Sequence, residues 1–123
     1  MKKLNTKLES TKKNIIKNFV IESNQTIFLA IEKIAQNSHR TIIVIKKNKV
    51  IGVVSEGDII KAALRRVNFN SSLANITNKS FKFLLEDDKI QAKKIFKKDL
   101  VGILPILDKN MKIKKIYTLK DFI

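Results

Sequence analysis

Two segments of this 123-residue chain place a hydroxyl and a carboxylate three positions apart after an apolar run: Ser55-Glu56-Gly57-Asp58 and Thr118-Leu119-Lys120-Asp121. Where a strand ends and a helix begins, unpaired backbone N–H groups and the positive end of the helix dipole face outward, a setting that suits an anion. A hydroxyl at that point can bond to a phosphate, and a carboxylate three residues on can accept the hydroxyls of a ribose, as acidic residues do in dinucleotide folds. The same tetrapeptide also reads as a capping box, in which both side chains serve only the first turn of a helix. Two copies separated by 63 positions point to a repeated architecture with a shared kind of site.

The elements that must carry these groups are legible in the hydrophobic pattern. Phe19-Val20-Ile21 reads as a short strand. After Ser23-Asn24-Gln25-Thr26, which offers several N-caps, Ile27, Ala30, Ile31, Ile34 and Ala35 recur with the period of one buried helix face. Thr41–Ile45 and Val50–Val54 are β-rich runs joined by Lys46-Lys47-Asn48-Lys49, short enough for a hairpin, and their near-continuous apolarity predicts cover on both faces. A helix then runs from the Ser55 segment to about Val67. The order returns with a strand at Phe81-Lys82-Phe83, a helix capped by Asp87-Asp88 with Ala92, Ile95 and Phe96 on one face, and strands at 102–107 and 112–117. Thr118 opens a last, truncated helix ending at Ile123, which points to a polypeptide that continues. The expected organisation is an N-terminal helical arm over 1–18, one β-α-β-β-α repeat over 19–67, a connection over 68–79 and a second repeat over 80–123.

Composition narrows the chemistry. Hydrophobic residues make up 44% and charged residues 30%, as in a folded globular chain, and no apolar run approaches the length of a membrane span. A cytoplasmic location without membrane contact is the matching expectation. Cysteine is absent and histidine occurs once, at His39, so thiolate and histidine-based metal sites are excluded, and no glycine-rich phosphate loop is present. The chain reads as a non-enzyme. Its net charge of +15 would attract polyanions. Yet the surplus is lysine, without aromatic interleaving, and the bidentate fork favoured in phosphate and base recognition occurs only at Arg40, Arg65 and Arg66. That balance favours a solvated surface over nucleic-acid binding.

The run Gly52-Val53-Val54-Ser55-Glu56-Gly57-Asp58-Ile59 resembles the CBS (cystathionine β-synthase type) signature, G-h-h-[ST]-x-x-D-h, and repeat length, element order and Pro105 in the penultimate strand agree with it. More narrowly, residues 54–66 and 68–78 resemble the CBS pair found ahead of sugar-1-phosphate nucleotidyltransferases. The resemblance implies an α/β (α+β) fold of two repeats packed through their sheets with pseudo-two-fold symmetry. It also implies a cleft for an adenosine-type nucleotide such as AMP, ADP or ATP, with no cofactor required, a homodimer built through the CBS pairs, and regulation of a nucleotidyltransferase domain in cis that this chain lacks. Carried over by position, Asp58 and Asp121 would take ribose hydroxyls, and Ser55 and Thr118 would sit at the phosphate or ribose edge. Ile21, Ile43 and Val53 would line one base pocket, and Phe83, Pro105 and Ile116 the other. Arg40, or His39 beside it, stands where a cationic phosphate contact is expected. Lys115 departs from the signature glycine, so that its Cβ would crowd a ligand approaching the second site. Two other readings stay open: a ligand-free dimerisation scaffold, and a basic nucleic-acid-binding domain.

Overall fold

The computed structural model describes residues 16–99 and 101–123. Most of the expected N-terminal arm, including Leu4, Leu8 and Ile15, therefore lies outside the described residues. The first repeat contains β1 (Val20–Glu22), α1 (Ile27–Asn37), β2 (Thr41–Lys46), β3 (Lys49–Ser55) and α2 (Glu56–Leu64). The second contains α3 (Lys89–Asp99), β4 (Ile103–Leu107), β5 (Ile113–Thr118) and a single 3-10 turn, Leu119–Phe122. Among the described residues no helix is long and apolar enough to cross a membrane.

Local chemistry sets these boundaries. Of the cap candidates before α1, Thr26 is used: its Oγ1 accepts the Leu29 N–H at 3.1 Å. Lys47 and Asn48 both have positive φ, 52° and 64°, the two-residue I′ geometry that matches strand twist and that asparagine tolerates. Helix α2 stops at Leu64, short of the expected Val67, because Arg66 turns left-handed at φ 60°. The Arg66 N–H then bonds Ala63 O and the Val67 N–H bonds Ala62 O, both at 3.0 Å, which closes a Schellman cap with arginine in place of glycine.

Sheet order is β1-β2-β3, with β1 parallel and β3 antiparallel to β2, while β4 and β5 form a separate antiparallel pair. Alternation along these strands divides the apolar residues into three cores. Ile42, Val44 and Val54 face outward beneath α1 and α2, with Ile27, Ala30 and Ile34. Leu104, Ile106 and Tyr117 face outward beneath α3, with Ala92 and Phe96. Between the sheets, Ile43 and Val50 of the first repeat meet Ile103 and Leu107 of the second, and Val53, Phe81, Phe83, Ile113 and Ile116 close around them. The expected two-sided cover of β2 and β3 thus comes from helices on one face and the other repeat on the opposite face.

Four expectations need correction. Ala35 is exposed, so the buried stripe of α1 is narrower than its periodicity implied. Residues 81–83 form no strand: Phe81 and Phe83 turn into the inter-sheet core, and pairing with β4 is limited to a parallel bridge between Leu84 and Ile106. The last element is a 3-10 turn rather than the start of an α-helix. Finally, the 68–79 segment is more than a connection. Leu73 and Ile76 are buried in the first core, Ser72 Oγ donates to Ser23 O at 2.9 Å, and Asn78 pairs with Val53 through two backbone bonds of 2.8 and 3.0 Å.

That wrap explains Gly52. A Cβ there would lie 2.5 Å from both Asn78 O and Thr77 Cγ2, so the glycine lets the returning chain lie flat on β3. Its counterpart Lys115 pairs with Ile106 across the second sheet, on the α3 side and away from the inter-sheet face. The Lys115 ammonium lies 3.5 Å from Asp87 Oδ2 and 4.6 Å from the centre of the Tyr117 ring. Its Cβ therefore faces away from the crevice between the repeats, on the side where Lys115 lines a hollow together with Ile116 and Asp121. Asp87, anticipated as a cap, serves this cluster by accepting the Tyr117 hydroxyl, and Asp88 alone caps α3, taking the Gln91 N–H at 3.1 Å.

Two outcomes follow. Gly52→Ala will cost about 1–3 kcal/mol in urea unfolding, because the clash is with backbone, whereas Gly57→Ala, whose Cβ would make only an ordinary 3.6 Å contact with Ser55 Oγ, will stay within about 1 kcal/mol of the parent. The Tyr117 hydrogen bond, assisted by Lys115, holds the Asp87 carboxyl below its ordinary pKa. The stability from this shift is present above the ordinary carboxylate range and is lost as pH falls through the lowered value. Carboxyl-carbon NMR will show the Asp87 midpoint rising in Tyr117→Phe.

Candidate functional site

At one end of the sheet pair the strand termini of both repeats converge. Gly102 packs so closely on the His39 carbonyl that a Cβ would overlap it. Because Thr41 pairs with Ser55 and Ile103 with Thr118, Gly102 corresponds to Arg40, the neighbour of His39, so nearly equivalent positions meet at the junction. At the other end of the interface, the Val50 N–H donates to Met111 O at 2.9 Å, tying the first sheet to the turn of the second hairpin.

Both hydroxyl–acid pairs are capping boxes. Asp58 Oδ2 accepts the Ser55 N–H at 2.9 Å and the Ser55 hydroxyl at 3.0 Å, while Ser55 Oγ accepts the Asp58 N–H at 3.2 Å. Asp121 Oδ2 accepts the Thr118 N–H at 2.7 Å. The first turn of α2 is further tied across to the α1–β2 turn, where the Glu56 N–H donates to Arg40 O at 3.0 Å. Arg40 holds φ at 63° to present that carbonyl, an unusual conformation for a residue with a Cβ. Capping does not exhaust Asp58: a carboxylate has about four lone-pair sites, and among the described residues the recorded bonds all fall on Oδ2.

Three hollows border these residues. A cleft of about 210 Å³ between the repeats is lined by Thr41, Val53, Ser55 and Asp58 from the first, by Asn78, Ser80, Phe81 and Lys82 where the chain crosses over, and by Val101, Gly102 and Ile103 from the second. A larger cavity of about 840 Å³ shares Thr41, Ser55, Val101 and Gly102 with it, and extends past Arg40 and Gly57 to Lys93 and Lys97 on α3. The third, about 430 Å³, is built only from second-repeat residues, among them Lys115, Ile116 and Asp121.

The expected site residues are therefore distributed unevenly. Ser55, Asp58 and Val53 come together on the cleft between repeats, and Arg40 lies next door on the larger cavity. Ile116 and Asp121 share the third hollow, which faces only one repeat, and Thr118 lines none of the three. Ile21 is buried beneath α1 and lines none of the three hollows. Ile43 and Pro105 are fully buried, and Ile43 lies in the inter-sheet core; neither they nor Phe83 lines any of these hollows. His39 lines the larger cavity, with its ring centroid 5.4 Å from that of Phe19. Burial, aided by Lys120 and opposed by Asp121, lowers its pKa, so it is a poorer cation than Arg40. Sequence reasoning missed Asn78, Phe81, Lys93 and Lys97. The lysines carried a usable signal, since they follow the buried Ala92 and Phe96 by one position each and so border the buried face of α3.

The CBS domain family model matches residues 12–65. An uncharacterized 17.7 kDa protein of Acidianus ambivalens is 30% identical over 105 residues, covering 84% of this chain and 63% of its own length; the chain spans less than two thirds of the curated relatives it matches. Among solved structures, the CBS domain protein from Pyrobaculum aerophilum complexed with AMP superposes with a TM-score of 0.69 at 19% identity, covering 84% of this chain and 81% of that one. A CBS domain pair in complex with 5'-methylthioadenosine and S-adenosyl-L-methionine gives 0.68 at 19%, covering 84% and 82%. With its two sheets pressed face to face and helices on the outer sides, the chain has the fold of a CBS domain pair, and its first repeat is matched by the CBS family itself.

Proposed function

We propose that this chain is a regulatory module that binds an adenosine-type nucleotide in the cleft between its repeats and performs no chemistry of its own. The observation carrying the reading is that Ser55, Asp58 and Val53 of one repeat line a single cleft with Gly102 and Ile103 of the other. In that cleft Asp58 would accept ribose hydroxyls through the lone pairs its cap leaves unused, Val53 and Phe81 would flank the base, and the Ser55 hydroxyl would turn its one proton from Asp58 to the first phosphate. The adenosine compounds named for two proteins of like fold support this choice of ligand class. A ligand touching both repeats favours whichever arrangement of them it fits best, and its effect on an attached domain is limited to its differential affinity for the alternatives. The narrower sequence resemblance makes a sugar-1-phosphate nucleotidyltransferase domain the regulated partner in this reading, acting from a homodimer.

One observation favours a second reading, a scaffold that needs no ligand. Ile43, Ile103 and Leu107 already fill the interface between the sheets, so the pair is held together without a nucleotide. Calorimetric titration separates the two. The sensor reading expects saturable heat with AMP or ATP, a 10-fold or greater loss of affinity in Asp58→Ala, in line with about 1.5–3 kcal/mol for a hydrogen bond to a charged group, and little change in Asp121→Ala. Thermal unfolding of Asp58→Ala checks that loss of the cap has not melted the repeat. No heat with any adenosine compound leaves the scaffold; salt-sensitive retention of an RNA oligomer would instead support the nucleic-acid alternative.

A further inference from the structure

The two inter-repeat hollows differ in chemistry. The smaller holds Asp58 and Val53, the groups suited to a nucleoside, and one cation, Lys82, whereas Arg40, Lys93 and Lys97 gather on the larger, with Lys93 also bordering the third hollow. Ser55 belongs to both, so it marks the place where a nucleoside would end and a phosphate chain begin. Against the three cations, Glu56 is the single carboxylate on the larger cavity among the described residues, and none of the three is in an ion pair there. Lysine is abundant on this protein, and exposed lysines alone would mean little. These differ in arrangement: Lys93 and Lys97 stand one turn apart on α3 of the second repeat, facing the same cavity as Arg40 of the first. Like charges gathered around one space repel, and a polyanion placed among them removes that cost.

Resting on the nucleotide reading above, we infer that the ligand is a nucleoside polyphosphate, with its terminal phosphates in the larger cavity between Arg40 and the Lys93–Lys97 pair. A ligand that stops at the first phosphate reaches Ser55 but not α3, so the polyphosphate tail is the part that bridges the repeats by charge. A sulfonium nucleoside, itself cationic, is disfavoured at the same place. The arrangement assigns a role to two lysines that lie outside the signature motif.

Equilibrium binding of adenosine, AMP, ATP and inorganic tripolyphosphate to the full chain tests this, at 50 and 200 mM salt. The expected result is ATP binding at least 10-fold tighter than AMP at the lower salt, with the gap narrowing at the higher one. In the Lys93→Ala/Lys97→Ala double variant the gap should collapse while AMP affinity is kept; the substituted side chains are exposed, and circular dichroism confirms folding. Equal affinity for AMP and ATP in the parent, or a gap that survives the double substitution, overturns the polyphosphate assignment while leaving the nucleotide site standing. Absence of binding by adenosine, AMP and ATP alike overturns the nucleotide reading as well. Tripolyphosphate binding as tight as ATP and unaffected by Asp58→Ala overturns it too, by showing an anion patch with no nucleoside site.

Discussion

The contact on which the structure depends is the apolar face shared by the two sheets. Strands β2 and β3 are hydrophobic on both sides, and neither side can be left in water. One is covered by α1 and α2, but Ile43 and Val50 on the other are buried only because Ile103 and Leu107 arrive from the second repeat. Burial of each such side chain is worth about 1.5–3 kcal/mol, so either repeat alone would expose a costly patch. The pairing also has geometric consequences. The clefts lie at the end where Ser55, Arg40 and Gly102 emerge, beside the close packing of Gly102 on the His39 carbonyl.

Approach at that end is limited by backbone rather than by side chains. Gly102 lets the second repeat come down onto the His39 carbonyl, and any larger residue would hold the strand ends apart. Gly52 does a different job, admitting the crossing segment at Thr77 and Asn78. Its place in the signature is thus accounted for by chain packing alone. This is why lysine is accommodated at the equivalent position 115, where the second sheet presents that side to α3 and the side chain joins Asp87 and Tyr117.

The strands and helices of the first repeat could be read almost completely from sequence, because their periods are strong and their caps and turn residues agree with them. The weaker second repeat shows where pattern reading stops. Phe81 and Phe83 alternate as a strand should, yet alternation records only which side is buried. Backbone pairing requires a partner at the right distance, and here the segment leaves β4 after one bridge to reach α3. Similarly, Ile21, Ile43 and Pro105 were recognisable as apolar strand residues, but choosing between a core and a pocket wall requires knowing what stands opposite. The hydroxyl–acid motif was legible as two functions at once, and the structure realises the cap in both repeats while bringing only the Ser55–Asp58 pair to a cleft between them.

That asymmetry bears on how such a module could transmit a signal. Two equivalent sites would let ligand bind each half with no preference for a particular relation between them. A cleft whose walls come from both repeats is different, because its shape is the relation between them. The Val50–Met111 bond at one end, the packed core and the Gly102–His39 contact at the other hold the sheets in register, so a ligand in the cleft would act through the residues of both repeats that it touches. A modest difference in affinity there, on the order of 1–3 kcal/mol, is enough to shift the balance of two arrangements by about one to two powers of ten.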